Sequence, residues 1–323
     1  MTRLIVIGNG TLATDCLTIL SERPAVELAL VVHDPRAGSI GGGIAAWCGK
    51  RDVPVLGVEK NINSPEILEQ IRACRPDLIF NIHSFYLFRR ELLETAQRGM
   101  INFHNAPLPK FRGMHSPSWA IITGATEYGV TWHFIDEGVD TGDIIAQRPV
   151  EIADDETAFS LTIKCMLAGR SLFEAIIDDV LEGNVTRTPQ AGASSYYSLR
   201  DSPNDGYIDF DDDCATIDRF VRGLNFGPAA NTFVHAKVRF RATDFIVNRV
   251  SCRATDQTSS DPVSAGPGAV LVADGARLEI AARGGTVAIE EAASADGNPL
   301  TIGQLVEQTG IRPRDRLETV RAT

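Results

Sequence analysis

In the stretch INFHNAPLPKFRG (residues 101–113) an asparagine and a histidine, Asn102 and His104, stand two apart, ahead of a proline-pinned turn. Side chains at i and i+2 of a β-strand leave the same face, so the pair would lie side by side while Phe103 packs behind. Further on, GVTWHFIDEGVDTGDI places a polar, glycine-bounded loop, Asp136 to Asp143, between two strand-like runs. An acyl-type transfer needs a donor for the oxygen that becomes an oxyanion, a group whose proton can move, and a carboxylate to hold or charge that group. Asn102, His104 and an aspartate of the 136–143 loop meet that list. The purely structural alternative is that Asn102 and His104 cap a strand end and the Asp loop is only a turn.

Other motifs have competing explanations. GNGTLA at residues 8–13 has the GxGxxA form of a dinucleotide fingerprint, with Asp34 at the end of the next strand. Glycine N–H groups at a helix start serve any phosphate or carboxylate equally, so a general anion-binding or structural turn competes with a nicotinamide site, and with it an oxidoreductase reading. Asp209, Asp211 and Asp213 have calcium-loop spacing, but Cys214 stands where the sharp-turn glycine belongs and Phe220 where the closing glutamate belongs. That run reads instead as the N-terminal cap of a helix. His104, His115 and His133 lack short metal-ligand spacing, and His83 and His235 read as structural, so no metal is expected.

The elements that must position these residues follow from periodicity. RLIVIGNGTLATDCLTIL reads as strand, glycine turn, helix; VELALVVHD as a second strand; and SPEILEQIRACRPDLIFNIH as a helix opened by Ser64 and Pro65, then a strand from Leu78. A helix over 90–97 leads to the strand of Asn102 and His104, and a long apolar stripe predicts a helix over 156–183. This alternation predicts an α/β fold, a Rossmann-like mainly parallel sheet with helices on both faces. A Ser-, Gly- and Pro-rich stretch then divides the chain into domain 1–190, linker 191–205 and domain 206–323, the last a helix followed by short strands, a small OB-like β-barrel.

The chain has 323 residues, 44% hydrophobic and 23% charged, an ordinary globular balance with room for two cores. No apolar run is long enough to cross a bilayer, no export signal is visible, and six scattered cysteines without CxxC spacing suit reduced thiols. A cytoplasmic location without membrane attachment is expected. The net charge of −11 argues against a nucleic-acid partner, because such affinity comes largely from Lys and Arg releasing counterions. The one basic strand, VHAKVRFR with Lys237, Arg239 and Arg241 on one face, reads as a solvated surface. Oligomeric state has no signature.

Together, NFHNAPLPKFRG and GVTWHFIDEGVDTGDI resemble the folate-dependent formyltransferase family, in the family's order and separation. IDRFVRGLNFGP and PGAVLVADGARLEI resemble the C-terminal barrel of its two-domain, methionyl-tRNA formyltransferase-like members. The resemblance implies that Asn102 and His104 bind the oxyanion and handle the proton, with Asp140 positioning His104 and raising its pKa so that it acts protonated. It implies 10-formyltetrahydrofolate as co-substrate, held by backbone near Tyr86 and Phe88 in HSFYLF, with Glu137, Val139 and Asp140 opposite. His133 matches a secondary histidine, and with Gly8, Gly10 and Thr11 it is a candidate for binding the second substrate. The family's Ser-Leu-Leu-Pro turn is Ala106-Pro107-Leu108-Pro109 here, and the folate loop carries Phe85 and Tyr86 in place of small residues.

The GNGT loop looks similar to the substrate-phosphate loop of the glycinamide ribonucleotide members, and HNAPLP, GVTWH and DTGDI to variants associated with nonribosomal peptide and siderophore pathways. The expected acceptor is therefore a small-molecule amine, such as an amino acid or an N-hydroxylated ornithine, or a carrier-protein-tethered aminoacyl group. Methionyl-tRNA and a nucleotide-linked amino sugar are alternatives, and a catalytically silent binding module is the alternative of another class. Acidic residues outnumber basic ones over 206–323, which disfavours tRNA.

Overall fold

The computed structural model describes residues 1–36, 38–254 and 265–321. The chain divides into two compact units: residues 1–114, 127–151 and 163–197 form the first, and 115–126, 152–162 and 198–323 the second.

The first unit is built on a seven-stranded sheet. Its chain order is β1 (Thr2–Gly8), α1 (Gly10–Ser21), β2 (Val26–His33), α2 (Gly38–Gly49), β3 (Val55–Gly57), α3 (Pro65–Ala73), β4 (Leu78–Ile82), α4 (Arg90–Leu93), β5 (Met100–His104) and β6 (Arg112–Gly113). After α5 (Ser116–Ile122), which belongs to the second unit, come β7 (Gly129–Phe134), β8 (Ile144–Pro149), α6 (Ala158–Glu182), whose residues up to 162 count with the second unit, and β9 (Tyr196–Tyr197). The spatial order is β3-β2-β1-β4-β5-β7-β8, parallel as far as β5 and antiparallel for β7 and β8. The mainly parallel Rossmann-like sheet is thus observed, with an antiparallel edge that alternation alone did not specify. β1, β4 and β7 are almost wholly buried, as expected of strands covered on both faces. Because the chain winds outward from β1 in both directions, the crevice at the carboxyl ends of β1, β4 and β5 is the natural ligand position of such a sheet.

Two details differ from the sequence reading. The helix expected over 90–97 ends at Leu93, where the Thr95 hydroxyl turns back onto the Leu92 carbonyl. Within the expected linker, β9 pairs in parallel with β6, so that part of it is a strand of the first unit.

In the second unit a 3-10 turn (Pro203–Gly206) precedes α7 (Cys214–Gly223), β10 (Lys237–Phe240), β11 (Thr243–Ala254), β12 (Val270–Ala273), β13 (Leu278–Ala282), β14 (Gly285–Ser294), β15 (Pro299–Leu300) and α8 (Ile302–Thr309). The strands form a curled antiparallel half-barrel ordered β10-β11-β14-β13-β12, with β15 beside β14. Ile217 and Val221 of α7 close its core against Phe210, Val238, Phe245, Ile280 and Leu305. The acidic run is a cap: the Asp213 carboxylate accepts from Thr216 N at 2.8 Å, and Arg321 bridges Asp209 and Asp211. All six cysteines are free. Among the described residues, no helix is long and apolar enough to cross a membrane, and no group of three or more His, Cys, Asp or Glu is placed to hold a metal ion.

Candidate active site

β5 ends at the sheet's carboxyl edge, and the alternation of its side chains directs Asn102 and His104 to one face, as their shared neighbour Asp140 shows. Phe103, from the opposite face, packs on Trp132 and lies so close to α6 that a Cβ at Gly169 would overlap its ring. This contact fixes the strand's position, and with it the catalytic face.

Asp140 sits in the loop after β7, in left-handed backbone (φ 53°), with its side chain turned toward β5 and largely buried. One oxygen accepts from Gly113 N at 2.9 Å and lies 3.5 Å from His104 Nδ1; the other is 3.6 Å from His133 Nε2 and 3.5 Å from Asn102 Nδ2. Gln190 Nε2 clamps the loop by donating to the carbonyls of Asp140 (2.9 Å) and Gly142 (2.8 Å). Burial opposes the charged carboxylate, but His104, His133 and the Gly113 N–H together hold its pKa well below the usual carboxylate range. It is ionised at neutral pH.

His104 is buried, and its Nε2 lies 2.9 Å from the Phe111 carbonyl. A carbonyl only accepts, so Nε2 carries the proton and Nδ1 presents a lone pair toward Asp140. Burial lowers the His104 pKa; Asp140 and the Phe111 carbonyl raise it but do not prevail. The expectation of a net rise and a protonated His104 is therefore corrected: desolvation outweighs the carboxylate, and the imidazole is neutral at pH 7.

His133, on β7, is buried and donates from Nδ1 to the Phe134 carbonyl at 2.7 Å, which leaves Nε2 facing Asn102 Nδ2 at 3.0 Å. Asn102 Oδ1 accepts from Asn81 Nδ2 at 2.8 Å, and the Ser84 hydroxyl donates to Asn81 Oδ1. Of Asn81, Asn102 and His133, only Asn102 is half-buried. Sequence reasoning missed Asn81 and Ser84; the signal was an amide inside the apolar run LIFNI.

The remaining candidates lie apart from this cluster. Gly8, Gly10 and Thr11 are at the end of β1, two strands from β5. A Cβ at Gly8 would lie 2.5 Å from the Ile82 carbonyl oxygen, so close strand packing accounts for that glycine without a phosphate. Gly10 has φ 76°, and Thr11 is exposed in the first turn of α1. Asp34, the candidate ribose ligand, is paired with Arg36 at 2.7 Å. Tyr86 and Phe88 pack against the core beside β1 and β2, and the Tyr86 hydroxyl bonds the Val58 carbonyl. Their neighbours Phe85 and Leu87 are 72% and 73% exposed, apolar surfaces suited to a flat aromatic ligand. Glu137 is held to Arg90 of α4, and Val139 is partly exposed.

Fold and site thus define an α/β enzyme architecture with an amide, two imidazoles and a carboxylate at the carboxyl edge of a parallel sheet. Residues 2–177 match the formyl transferase family and residues 201–310 its C-terminal domain; the chain belongs to the formyltransferase family, enzymes that transfer formyl groups. It is 30% identical over 294 residues to a methionyl-tRNA formyltransferase of Geotalea uraniireducens, covering 90% of this chain and 89% of the relative. A methionyl-tRNA formyltransferase of Geobacter metallireducens is 32% identical over 239 residues, 72% and 76% of the two chains. Among solved structures, an N-formyltransferase from Helicobacter canadensis, in complex with folinic acid and dTDP-3-aminofucose, aligns with TM-score 0.63 at 18% identity over 90% of this chain and 99% of its own. A 4-N formyltransferase from Francisella tularensis aligns with TM-score 0.61 at 24% identity over 71% and 90%. At these identities the structural likeness establishes the fold.

Proposed function

We propose that the protein transfers the formyl group of 10-formyltetrahydrofolate to the amino or hydroxylamino group of a small-molecule or carrier-tethered amino acid. The observation that carries the chemistry is the convergence of Asn102, His104 and His133 on one largely buried, ionised carboxylate, Asp140. The co-substrate supplies an activated formyl carbon, and the backbone around Tyr86 and Phe88, flanked by the exposed Phe85 and Leu87, is where its ring system would lie.

The neutral acceptor amine attacks the formyl carbon, forming the new C–N bond. The carbonyl oxygen becomes an oxyanion and accepts the second Asn102 Nδ2 hydrogen, which exchanges its long 3.5 Å contact with Asp140 for the substrate oxygen while the first stays on His133. The proton released by the amine moves to Nδ1 of neutral His104, and the imidazolium is stabilised by Asp140 and by the Phe111 carbonyl at Nε2. As the intermediate collapses, the bond from the formyl carbon to the folate nitrogen breaks and the proton passes to that nitrogen. His104 acts as base first and acid second, which suits a histidine whose pKa burial keeps low.

For the acceptor, the basic segment does not form one strand face, because Arg241 (φ 47°) falls in the turn after β10, and its side chains are already engaged: Arg239 with Asp244 (2.7 Å), Arg241 with Asp315 (3.7 Å), and Lys237 over the Tyr207 ring. The net charge of −11 works against association with a polyphosphate backbone. The second reading, methionyl-tRNA as acceptor, is favoured by the relatives that match most of the chain. Mass spectrometry decides: protein and 10-formyltetrahydrofolate are incubated with amino acids, N-hydroxyornithine, nucleotide amino sugars, charged initiator tRNA and loaded carrier proteins. A formylated amino acid or carrier supports the proposal; formylation of tRNA alone overturns its acceptor, and no formylation of any acceptor overturns the activity.

A further inference from the structure

Asn81, Asn102 and His133 are direct cross-strand neighbours: the register pairs Asn81 with Asn102 between β4 and β5, and Asn102 with His133 between β5 and β7. Three polar side chains thus form one row across the middle of a sheet whose strands are otherwise mostly apolar. Their hydrogen bonds all run in one direction. At one end the Phe134 carbonyl can only accept, which places the His133 proton on Nδ1 and leaves Nε2 as a lone pair. That lone pair requires a donor, so Asn102 turns its NH2 toward β7 and its oxygen toward β4. The oxygen in turn requires a donor, which Asn81 provides, and Asn81 Oδ1 accepts from Ser84.

We propose that Asn81, with Ser84 behind it, is the positioning residue that locks the Asn102 amide with its NH2 toward the reacting formyl oxygen. An asparagine amide is nearly symmetric in shape, and one half-rotation exchanges a donor for an acceptor. Reversed, Asn102 would aim its oxygen at His133 Nε2 and at the Asp140 carboxylate and would repel an oxyanion. With Asn81 in place, the reversed state also sets two NH2 groups against each other between β4 and β5. Both ends of the row therefore oppose the same error. Asn81 is buried and need not touch either substrate.

This inference rests on the catalytic role proposed for Asn102, and the test separates the two. Asn81→Leu keeps the branched shape of the side chain and deletes its donor. With 10-formyltetrahydrofolate and hydroxylamine as the probe nucleophile, formohydroxamate formation gives kcat and KM. Loss of an oxyanion donor outright costs about 100- to 1,000-fold. Asn81→Leu, which disorders that donor, is expected to lower kcat about 10- to 100-fold with KM for the formyl donor held within about twofold. In an Asn102→Ala background the same change should cost nothing further, the non-additivity of residues that act as a unit. In protein carrying ¹⁵N-histidine, the His133 Nε2 resonance should move in both single variants. Equal losses from Asn81→Leu in both backgrounds, or an unmoved His133 resonance, overturn the positioning role. If Asn102→Ala leaves the rate intact, or the parent protein forms no formohydroxamate, the catalytic reading of Asn102 fails instead. The nitrogen resonance then still judges the row by itself.

Discussion

Asn substituted for Asp140 keeps the outline of the side chain, and its oxygen can still accept from the Gly113 N–H, but the charge is gone. The charge matters most when His104 takes the amine proton, because an imidazolium then stands 3.5 Å from that carboxylate. At an effective dielectric of about 20, two unit charges at this distance attract by about 5 kcal/mol. Little of that is felt beforehand, since burial leaves His104 neutral, so most of it is lost from the transition state. Allowing for relaxation, a loss of about 3–5 kcal/mol predicts a kcat decrease of about two to nearly four orders of magnitude. Asp140 is also a main influence opposing burial at His104; without it the imidazole pKa drops further and the acid limb of kcat/KM moves to lower pH. Rapid-quench single-turnover rates across a pH series read both effects. Stability gives a third check. The folded Asp140 pKa lies below the unfolded value of about 3.9, so its contribution is full above that value and is lost as pH falls through the folded one. The melting advantage of the parent over Asp140→Asn should persist from neutral pH to about 4 and close below it. A rate loss under tenfold, or an acid limb that does not move, refutes the proton-acceptor assignment.

Other perturbations test the scaffold. Gly8→Ala sets a methyl 2.5 Å from a backbone oxygen that cannot swing away, so a stability loss of about 1–3 kcal/mol is expected in thermal melts; an unchanged melt would mean that the glycine is there for a ligand. Below the ordinary histidine pKa of about 6.5, the unfolded chain binds a proton that folded His104 refuses, so stability should fall as pH is lowered through that value. His104→Gln should flatten this slope in urea titrations, and an unaltered slope would place its origin elsewhere. Thr301→Ala removes a capping box, in which the Thr301 hydroxyl and the Gln304 side chain satisfy each other's backbone N–H, and should cost about 0.5–2 kcal/mol with kcat unchanged.

Much of the site was legible because its chemistry lies in short contiguous segments: strand alternation puts Asn102 beside His104, and a glycine-bounded loop holds Asp140. What escaped depends on register. That Asn81 and His133 flank Asn102 follows from which strands neighbour β5, a property of topology that one-dimensional periodicity does not carry. The net charge state of His104 was misjudged because sequence places the carboxylate but not the burial that outweighs it. In the fold, α2 went unrecognised because GSIGGGIAAWCG is glycine-rich and shows little polar–apolar contrast. α8 was missed for another reason: the Thr301 and Gln304 pair and the terminal Gly310 were visible, but the short helix was submerged among strand signals. The glycine turn after β1 was found, but the close approach of the β4 backbone to Gly8, a packing reason for that glycine, is again a matter of register.

Residues 190–197 form a seam beside the reaction centre. Gln190 grips the Asp140 loop, Phe111 N donates to Ser195 Oγ at 2.8 Å, and Met114 N donates to the Tyr197 carbonyl at 2.8 Å. A Cβ on Gly113, whose N–H holds Asp140, would overlap that same Tyr197 carbonyl. This bears on how such enzymes can be recombined. A chimera that replaces the chain from 191 or from 198 onward with that of a relative keeps every catalytic side chain and Gln190 in either case, but only the later junction retains the β9 strand that packs on Arg112 and Gly113. The seam, rather than the composition of the stretch, sets where this gene can be cut and rejoined.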